Sequence, residues 1–184
     1  WPPQGIYTKK PISSAADLKG MKWRVYSPTT ARIGELVGAQ PVTVQEAELS
    51  QALATGVIEG LITSSATGAD NKLFENLKYY YNVQAWIPKN AVTVSKKAFA
   101  ALDKPTQDAV LKAAATAEER GWKESKEVDA KSLATLKAGG MSVEAPSAQL
   151  KADLSKVGDT VVKEWTEKAG AEGQAILDAF KAAK

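Results

Sequence analysis

The stretch Asp17-Leu-Lys-Gly-Met-Lys-Trp-Arg-Val-Tyr26, read with Glu48-Leu-Ser-Gln-Ala-Leu-Ala-Thr-Gly-Val-Ile-Glu-Gly60, decides the fold. It sets one arginine inside a short apolar strand and then returns a helix to a further strand. Residues 22–26 alternate as a strand that Ser27-Pro28 stops. Thr29 or Thr30 then caps a helix through Ala31, Ile33, Leu36 and Val37, which Gly38 closes. Pro41-Val42-Thr43-Val44 reads as the next strand. Residues 46–55 form a helix with Leu49, Ala52 and Leu53 on one face, and another strand begins near Val57 after Gly56. Strand, helix, strand, helix, strand in so short a span predicts a parallel α/β unit with helices on the sheet faces. Binding groups in such a unit gather at the carboxyl ends of the strands, here Tyr26-Ser27, Val44-Gln45 and Thr63-Ser64-Ser65.

Arg24, flanked by Trp23 and Val25, can be partly desolvated at one of those ends. A guanidinium out of water demands a planar acceptor such as a carboxylate, which it grips through two charge-assisted bonds. The alternative is an arginine on the solvent face of an edge strand.

Composition narrows the chemistry further. The 184 residues include neither cysteine nor histidine, which removes the thiol nucleophile, the imidazole base and the commonest transition-metal ligand together. No cofactor is expected. The 24 basic and 21 acidic residues are spread along the chain, giving a mixed surface and not a basic field. With no basic run interleaved with aromatics and no phosphate loop, nucleic acid is not indicated. No apolar run of about 18 residues is present, so membrane insertion is not expected. Trp1-Pro2-Pro3 reads as the inside of an extended polypeptide, which predicts that an N-terminal portion precedes it.

Residues 78–87 and 91–95 are two more strand candidates, divided by Pro88-Lys-Asn90. From Asp103, an N-cap with Pro105 in the first turn, helical composition runs to Ala138 with only Gly121 to interrupt it. About 35 residues at 1.5 Å each would reach roughly 50 Å, more than one lobe needs. Gly139-Gly140 ends that helix, residues 141–145 alternate as a short strand, and Pro146-Ser147 opens another helix. Leu150, Leu154, Val157, Val161 and Trp165 make its apolar stripe, and Ile176, Leu177 and Phe180 belong to a final helix.

Several short motifs occur in one order: Lys-Pro-Ile, Asp17-Leu-Lys-Gly20, Arg24 in its strand, Gly38-Ala-Gln-Pro-Val42, Glu48-Leu-Ser-Gln-Ala-Leu-Ala-Thr-Gly56, Ile58-Glu-Gly60 and Asn90-Ala-Val-Thr-Val-Ser-Lys-Lys-Ala-Phe99. In that order they resemble the substrate-binding proteins of tripartite ATP-independent periplasmic (TRAP) transporters, the DctP type. The resemblance covers essentially the whole chain. It implies a periplasmic-binding-protein-like α/β lobe with a mostly parallel sheet, a long connecting helix and C-terminal helices. Residues 1–95 would be the second lobe of a two-lobed receptor, including its crossover strands. Residues 96–184 would be the long helix and C-terminal helices that pack on a first lobe, of which roughly 140 residues would be missing.

The resemblance also implies a function: a non-enzymatic periplasmic receptor that closes over a small organic acid and delivers it to TRAP permease subunits. Arg24 matches the family's carboxylate-pairing arginine. Thr63 falls where the family often presents an amide side chain to ligand; the hydroxyl row Thr63-Ser64-Ser65 departs from that pattern, so Thr63 and Ser64 are candidates for ligand contact that also fit as strand-end capping hydroxyls. Trp86 and Tyr7 match segments routed across or beside the cleft; Trp86 equally fits a core position. Gln4 stands where sugar-acid binders can carry a second arginine, and Glu46 where they can present an aromatic ring. One arginine favours a monocarboxylate over a dicarboxylate. Two other readings remain at this stage, a ligand-sensing periplasmic domain and a carboxylate-based enzyme. The enzyme would need Glu46 and Glu48 to act as a pair, yet two residues apart they point to different helix faces.

Overall fold

Trp23 and Val25 leave their strand on one face and Arg24 on the other, and this alternation orients what is built around it. In the computed structural model, which describes residues 1–183, the strand is β2 (Lys22–Val25), second in chain order after β1 (Gln4–Thr8). Helix α1 (Pro28–Leu36) follows directly, with Pro28 in its first turn. Its cap is Ser27 and not Thr29 or Thr30: the Ser27 hydroxyl accepts from the Thr30 amide at 3.2 Å, while the Thr30 hydroxyl donates back to the Ser27 carbonyl at 2.9 Å. Gly38, at φ 73°, turns the chain out of the helix as only glycine does at little strain.

β3 (Gln40–Thr43), α2 (Leu49–Ala54), β4 (Gly60–Ser64) and α3 (Ser65–Asp70) repeat the pattern. A 3₁₀ turn at Glu46–Glu48 precedes α2, so the expected helix over residues 46–55 is shorter and starts later. β2 pairs in parallel with β3, Arg24 opposite Val42, and with β4, Arg24 opposite Leu61. The opening residues, not expected as a strand, form β1 and lie antiparallel along β4 with Tyr7 opposite Leu61. β5 (Tyr79–Tyr81) runs antiparallel to β1, and β6 (Ser142–Glu144) parallel to β5. The result is a mixed six-stranded sheet, order β3-β2-β4-β1-β5-β6, with helices on both faces.

Two cores follow from the pleat. Tyr7, Leu61 and Tyr80 point to one face and pack with Leu49, Leu53, Leu136 and Met141. Their neighbours Ile6, Ile62 and Tyr81 point to the other face, joining Leu18, Trp23, Val25 and Leu150.

The expected strand at residues 91–95 does not form. Its alternating valines find no neighbouring strand, and Val92 and Val94 lie exposed. The expected strand at residues 78–87 keeps only three residues, because Gln84 takes a left-handed conformation at φ 49°. Beyond that break the chain rejoins β1: the Gln4 amide donates to the Trp86 carbonyl at 3.0 Å, and the Ala85 amide to the Gln4 carbonyl at 2.9 Å.

After α4 (Lys96–Ala100) comes α5 (Lys104–Ala138), 35 residues that Gly121 does not interrupt. Asp103 caps it by accepting from the Thr106 amide at 2.8 Å. Within α5 only Ser132 and Leu136 are buried, close to its end. Val110, Leu111, Trp122 and Val128 stay exposed along the rest. The last helix, α6 (Ala148–Ala182), is capped by Ser147 and broken at Gly170, where φ is 64° and ψ −150°, so the expected separate final helix begins there. Arg32 of α1 holds α6 through Glu164, with its Nη2 2.7 Å from Oε1 and its Nε 3.0 Å from Oε2.

A methyl group at Gly68 would overlap the ring and hydroxyl of the fully buried Tyr7, whereas one at Gly121 would meet nothing within 4 Å. Gly68→Ala should therefore destabilise by about 1–3 kcal/mol through overpacking. Gly121→Ala should stabilise by about 0.5–1 kcal/mol, as expected mid-helix. Urea midpoints of the two variants should move in opposite directions.

The hydrogen bonds from Arg32 hold the Glu164 carboxyl below the usual carboxylate range. A carboxyl depressed on folding stabilises the native state above its unfolded value, and that contribution disappears as pH falls through the folded value. Arg32 is itself raised, so it stays charged throughout this window. Amide protection in α6 around Glu164 should fall on acidification below the ordinary carboxylate range, and Glu164→Gln should flatten that dependence. Equal pH profiles in the two proteins would mean the ion pair does not hold the helix.

Candidate functional site

The carboxyl ends of β2, β3 and β4 open onto a cleft of about 430 Å³ whose lining includes Arg24, Tyr26, Gln45, Glu46, Thr63 and Thr67, with Trp1, Gln4, Pro88 and Asn90 closing its other side. Arg24 reaches it from the face of β2 opposite Trp23. The residue is only 4% exposed. The Nε donates to the Val44 carbonyl at 2.9 Å, and the guanidinium lies over the Tyr26 ring, 4.8 Å from the centroid. Burial weakens its hold on the proton, while Tyr26 and Glu46 nearby oppose that shift. Among the described residues no carboxylate forms an ion pair with Arg24. One edge of the guanidinium is thus fixed by the backbone and one face by an aromatic ring, leaving the paired amino groups for an oxyanion.

The remaining lining groups are held in graded ways. The Tyr26 hydroxyl donates to Gln4 Oε1 at 3.2 Å, and Gln4 Nε2 donates to the Pro2 carbonyl at 3.3 Å, so this buried amide is committed within the protein. Glu46 Oε1 accepts from Asn71 Nδ2 at 3.4 Å, and that same nitrogen is anchored on the Thr67 carbonyl at 3.0 Å. Thr63 is 5% exposed and lines the cleft.

Of the residues singled out in the sequence, Arg24 and Thr63 meet in the cleft and three lie around it. Ser64 is the cap of α3: its hydroxyl accepts from the Thr67 amide at 3.0 Å and from Trp1 Nε1 at 2.9 Å, and donates to Thr67 Oγ1 at 3.1 Å. It steadies the floor. Tyr7 lies beneath that floor, fully buried, with its hydroxyl donating to the Ser64 carbonyl at 2.9 Å and its ring 4.6 Å from that of Tyr80. Burial pushes its phenol well above the usual range. Trp86 packs, half-buried, against the core that contains Trp23 and Leu18, on the other side of the sheet from Tyr7.

Sequence reasoning did not assign Tyr26, Gln45, Thr67 or Asn90 to the cleft. Tyr26 and Gln45 lie in strand-end loops already expected to carry binding groups, which was the available signal. Gln4 and Glu46 were visible as positions where the side chain differs from sugar-acid binders.

A mixed α/β sheet thus gathers polar groups at the ends of its parallel strands, around one buried arginine. The chain belongs to the bacterial extracellular solute-binding proteins, family 7 (DctP), whose family model matches residues 4–169. It is a family of receptors and not of enzymes. The structure is similar to DctP6 of Bordetella pertussis, an extracytoplasmic solute receptor binding pyroglutamic acid, with a TM-score of 0.96 and 54% identity over 99% of this chain and 60% of that one. It is also similar to a marine metagenome TRAP solute binding protein specific for pyroglutamate, with a TM-score of 0.94 and 41% identity over 99% of this chain and 60% of that one. A solute-binding protein of Roseobacter denitrificans is 34% identical over 122 residues, 64% of this chain and 36% of that protein. The chain therefore spans about 60% of the two matched structures and about a third of that relative. No helix among the described residues is long and apolar enough to cross a membrane.

Removing the cap at Ser64 should cost stability. Ser64→Ala should lower the free energy of unfolding by about 0.5–2 kcal/mol, the usual worth of an N-cap hydroxyl. An unchanged denaturation midpoint would show that the cap contributes nothing to α3.

Proposed function

We propose that this chain forms the second lobe of a periplasmic receptor that captures a small monocarboxylate, pyroglutamate or a close relative of it, through Arg24 and hands it to TRAP permease subunits. In this reading residues 1–95 are the ligand-binding lobe, and residues 96–184 supply the long connecting helix and the C-terminal helices that pack on a first lobe. The exposed Val110, Leu111, Trp122 and Val128 of α5 support that division, since apolar side chains strung along one helix are seldom left to water. The observation that carries the function is the state of Arg24: buried, fixed by Val44 and Tyr26, and without a protein carboxylate among the described residues. Two receptors at 54% and 41% identity, both described with pyroglutamate, support the ligand class. Thr63 is the hydroxyl placed to add a second polar contact.

Half a cleft encloses half a ligand. Binding by this lobe alone should be much weaker than by a receptor that can close a second lobe over the acid. In the intact receptor, Arg24→Lys keeps the charge but loses the planar fork, and titration calorimetry with pyroglutamate should show a loss of about 1.5–3 kcal/mol. Unchanged affinity would remove Arg24 from the site and this function with it.

A further inference from the structure

Once the bonds made within the protein are set aside, the cleft has a definite polarity. Gln4 is committed at both ends of its amide, and Thr67 Oγ1 accepts from Ser64. Thr63 carries a hydroxyl, and Gln45 and Asn90 carry amides. Each of these can donate or accept, so none of them imposes a direction. Arg24 can only donate. Glu46, when ionised, can only accept, and it is the one carboxylate in the cleft lining. Its Oε1 is steered by Asn71, which is itself pinned to the end of α3 by the Thr67 carbonyl, while Oε2 has no hydrogen-bond partner among the described residues. Glu46 is exposed in this lobe, so water meets Oε2 until a ligand displaces it; a ligand that brings a donor replaces that water, whereas a second anionic group is repelled.

We propose that Glu46 sets which acid the cleft accepts: it takes a hydrogen bond from an N–H on the ligand while Arg24 takes the carboxylate, so the site selects small acids that carry an N–H donor beside the carboxylate. This rests on the function proposed above for Arg24 and adds the second point of recognition. A lactam N–H and a protonated amine share the required chemistry. Dicarboxylates meet Glu46 with like charge, and acids whose ring bears an oxygen in place of the N–H leave Glu46 facing a lone pair. A site built around a ligand N–H discriminates against the analogue lacking it, because the bound analogue displaces water from the acceptor and gives no donor in return.

The test is calorimetry on the intact receptor with three ligands: pyroglutamate, its lactone counterpart 5-oxotetrahydrofuran-2-carboxylate, and proline. The unaltered protein should prefer pyroglutamate over the lactone by about 10- to 100-fold, the range expected for one hydrogen bond to a charged acceptor. Glu46→Gln should shrink that preference to within about threefold, since a carboxamide can turn its NH₂ to the ring oxygen as readily as its oxygen to the N–H. Arg24→Lys should weaken both ligands alike and leave their ratio intact. Proline separates the two carriers of the donor, because its cationic nitrogen should lose affinity in Glu46→Gln by more than pyroglutamate does if an ammonium is the preferred partner. A lactam-to-lactone ratio unchanged in Glu46→Gln, with Arg24→Lys weakening both ligands, overturns the role of Glu46 and leaves the carboxylate site standing. An Arg24→Lys variant that binds both as before removes the carboxylate site itself, and the inference falls with it.

Discussion

An arginine that is 4% exposed has to be held by something, and the way Arg24 is held organises one whole edge of the molecule. Its Nε hydrogen bond to the Val44 carbonyl links the end of β2 to the end of β3, so the two parallel strands stop at a common level. The Tyr26 ring covers its face, and the Tyr26 hydroxyl carries the connection on to Gln4 at the start of β1. The ends of β2 and β3 and the start of β1 are thus linked at one rim through Arg24, Tyr26 and Gln4. Desolvating a charge is expensive unless its hydrogen bonds are met. Here the protein meets part of the requirement and directs the rest into the cleft.

The floor beneath that rim is made by a different means. Ser64 and Ser65 are consecutive, yet one serves the cleft and the other the long helix: Ser64 caps α3 and accepts from Trp1, while Ser65 donates to Asp129 of α5 at 2.5 Å. Tyr7 buttresses the same point from below through the Ser64 carbonyl. Its neighbour Tyr80 buries a hydroxyl that has no partner among the described residues, and burial, reinforced by Asp129, holds that phenol neutral far above its usual range.

What could be read from the sequence follows the distance over which each signal acts. The β2–α1–β3–α2–β4 unit was legible because its signals are local: the break at Ser27-Pro28, the exits at Gly38 and Gly56, and apolar spacing in between. α5 was legible for the same reason, from Asp103 to Gly139. β1 was not, because Gln4-Gly-Ile-Tyr-Thr is short, carries a glycine and shows no alternation, and it is fixed as a strand only by insertion antiparallel between β4 and β5, partners more than 50 residues away. Residues 91–95 show the converse, a pattern that alternates like a strand but has no strand beside it. In the site, Arg24 stood out because a charge among apolar neighbours demands explanation in any fold. The commitment of Gln4 to Tyr26, the buried position of Tyr7 and the packing of Trp86 on the far face depend on tertiary contacts that no spacing encodes.

Among the described residues α5 is seated only towards its C-terminal end, and the rest of its length presents Val110, Leu111, Trp122 and Val128 to the first lobe proposed above. Its buried residues are Ser132 and Leu136; Leu136 packs with Tyr7, Leu61 and Tyr80 of the sheet, and Asp129 accepts from Ser65 at the start of α3. Residues 104–128 extend from that seat over roughly 40 Å. On such an arm, a tilt of one degree at the root displaces the tip by about 0.7 Å. In the proposed receptor, angular play of the seat, set by close contacts around Ser65 and Leu136, would move whatever part of the first lobe packs near the far end. An adjustment too small to disturb the packing at the root becomes, at the tip, comparable to half a carbon–carbon bond length.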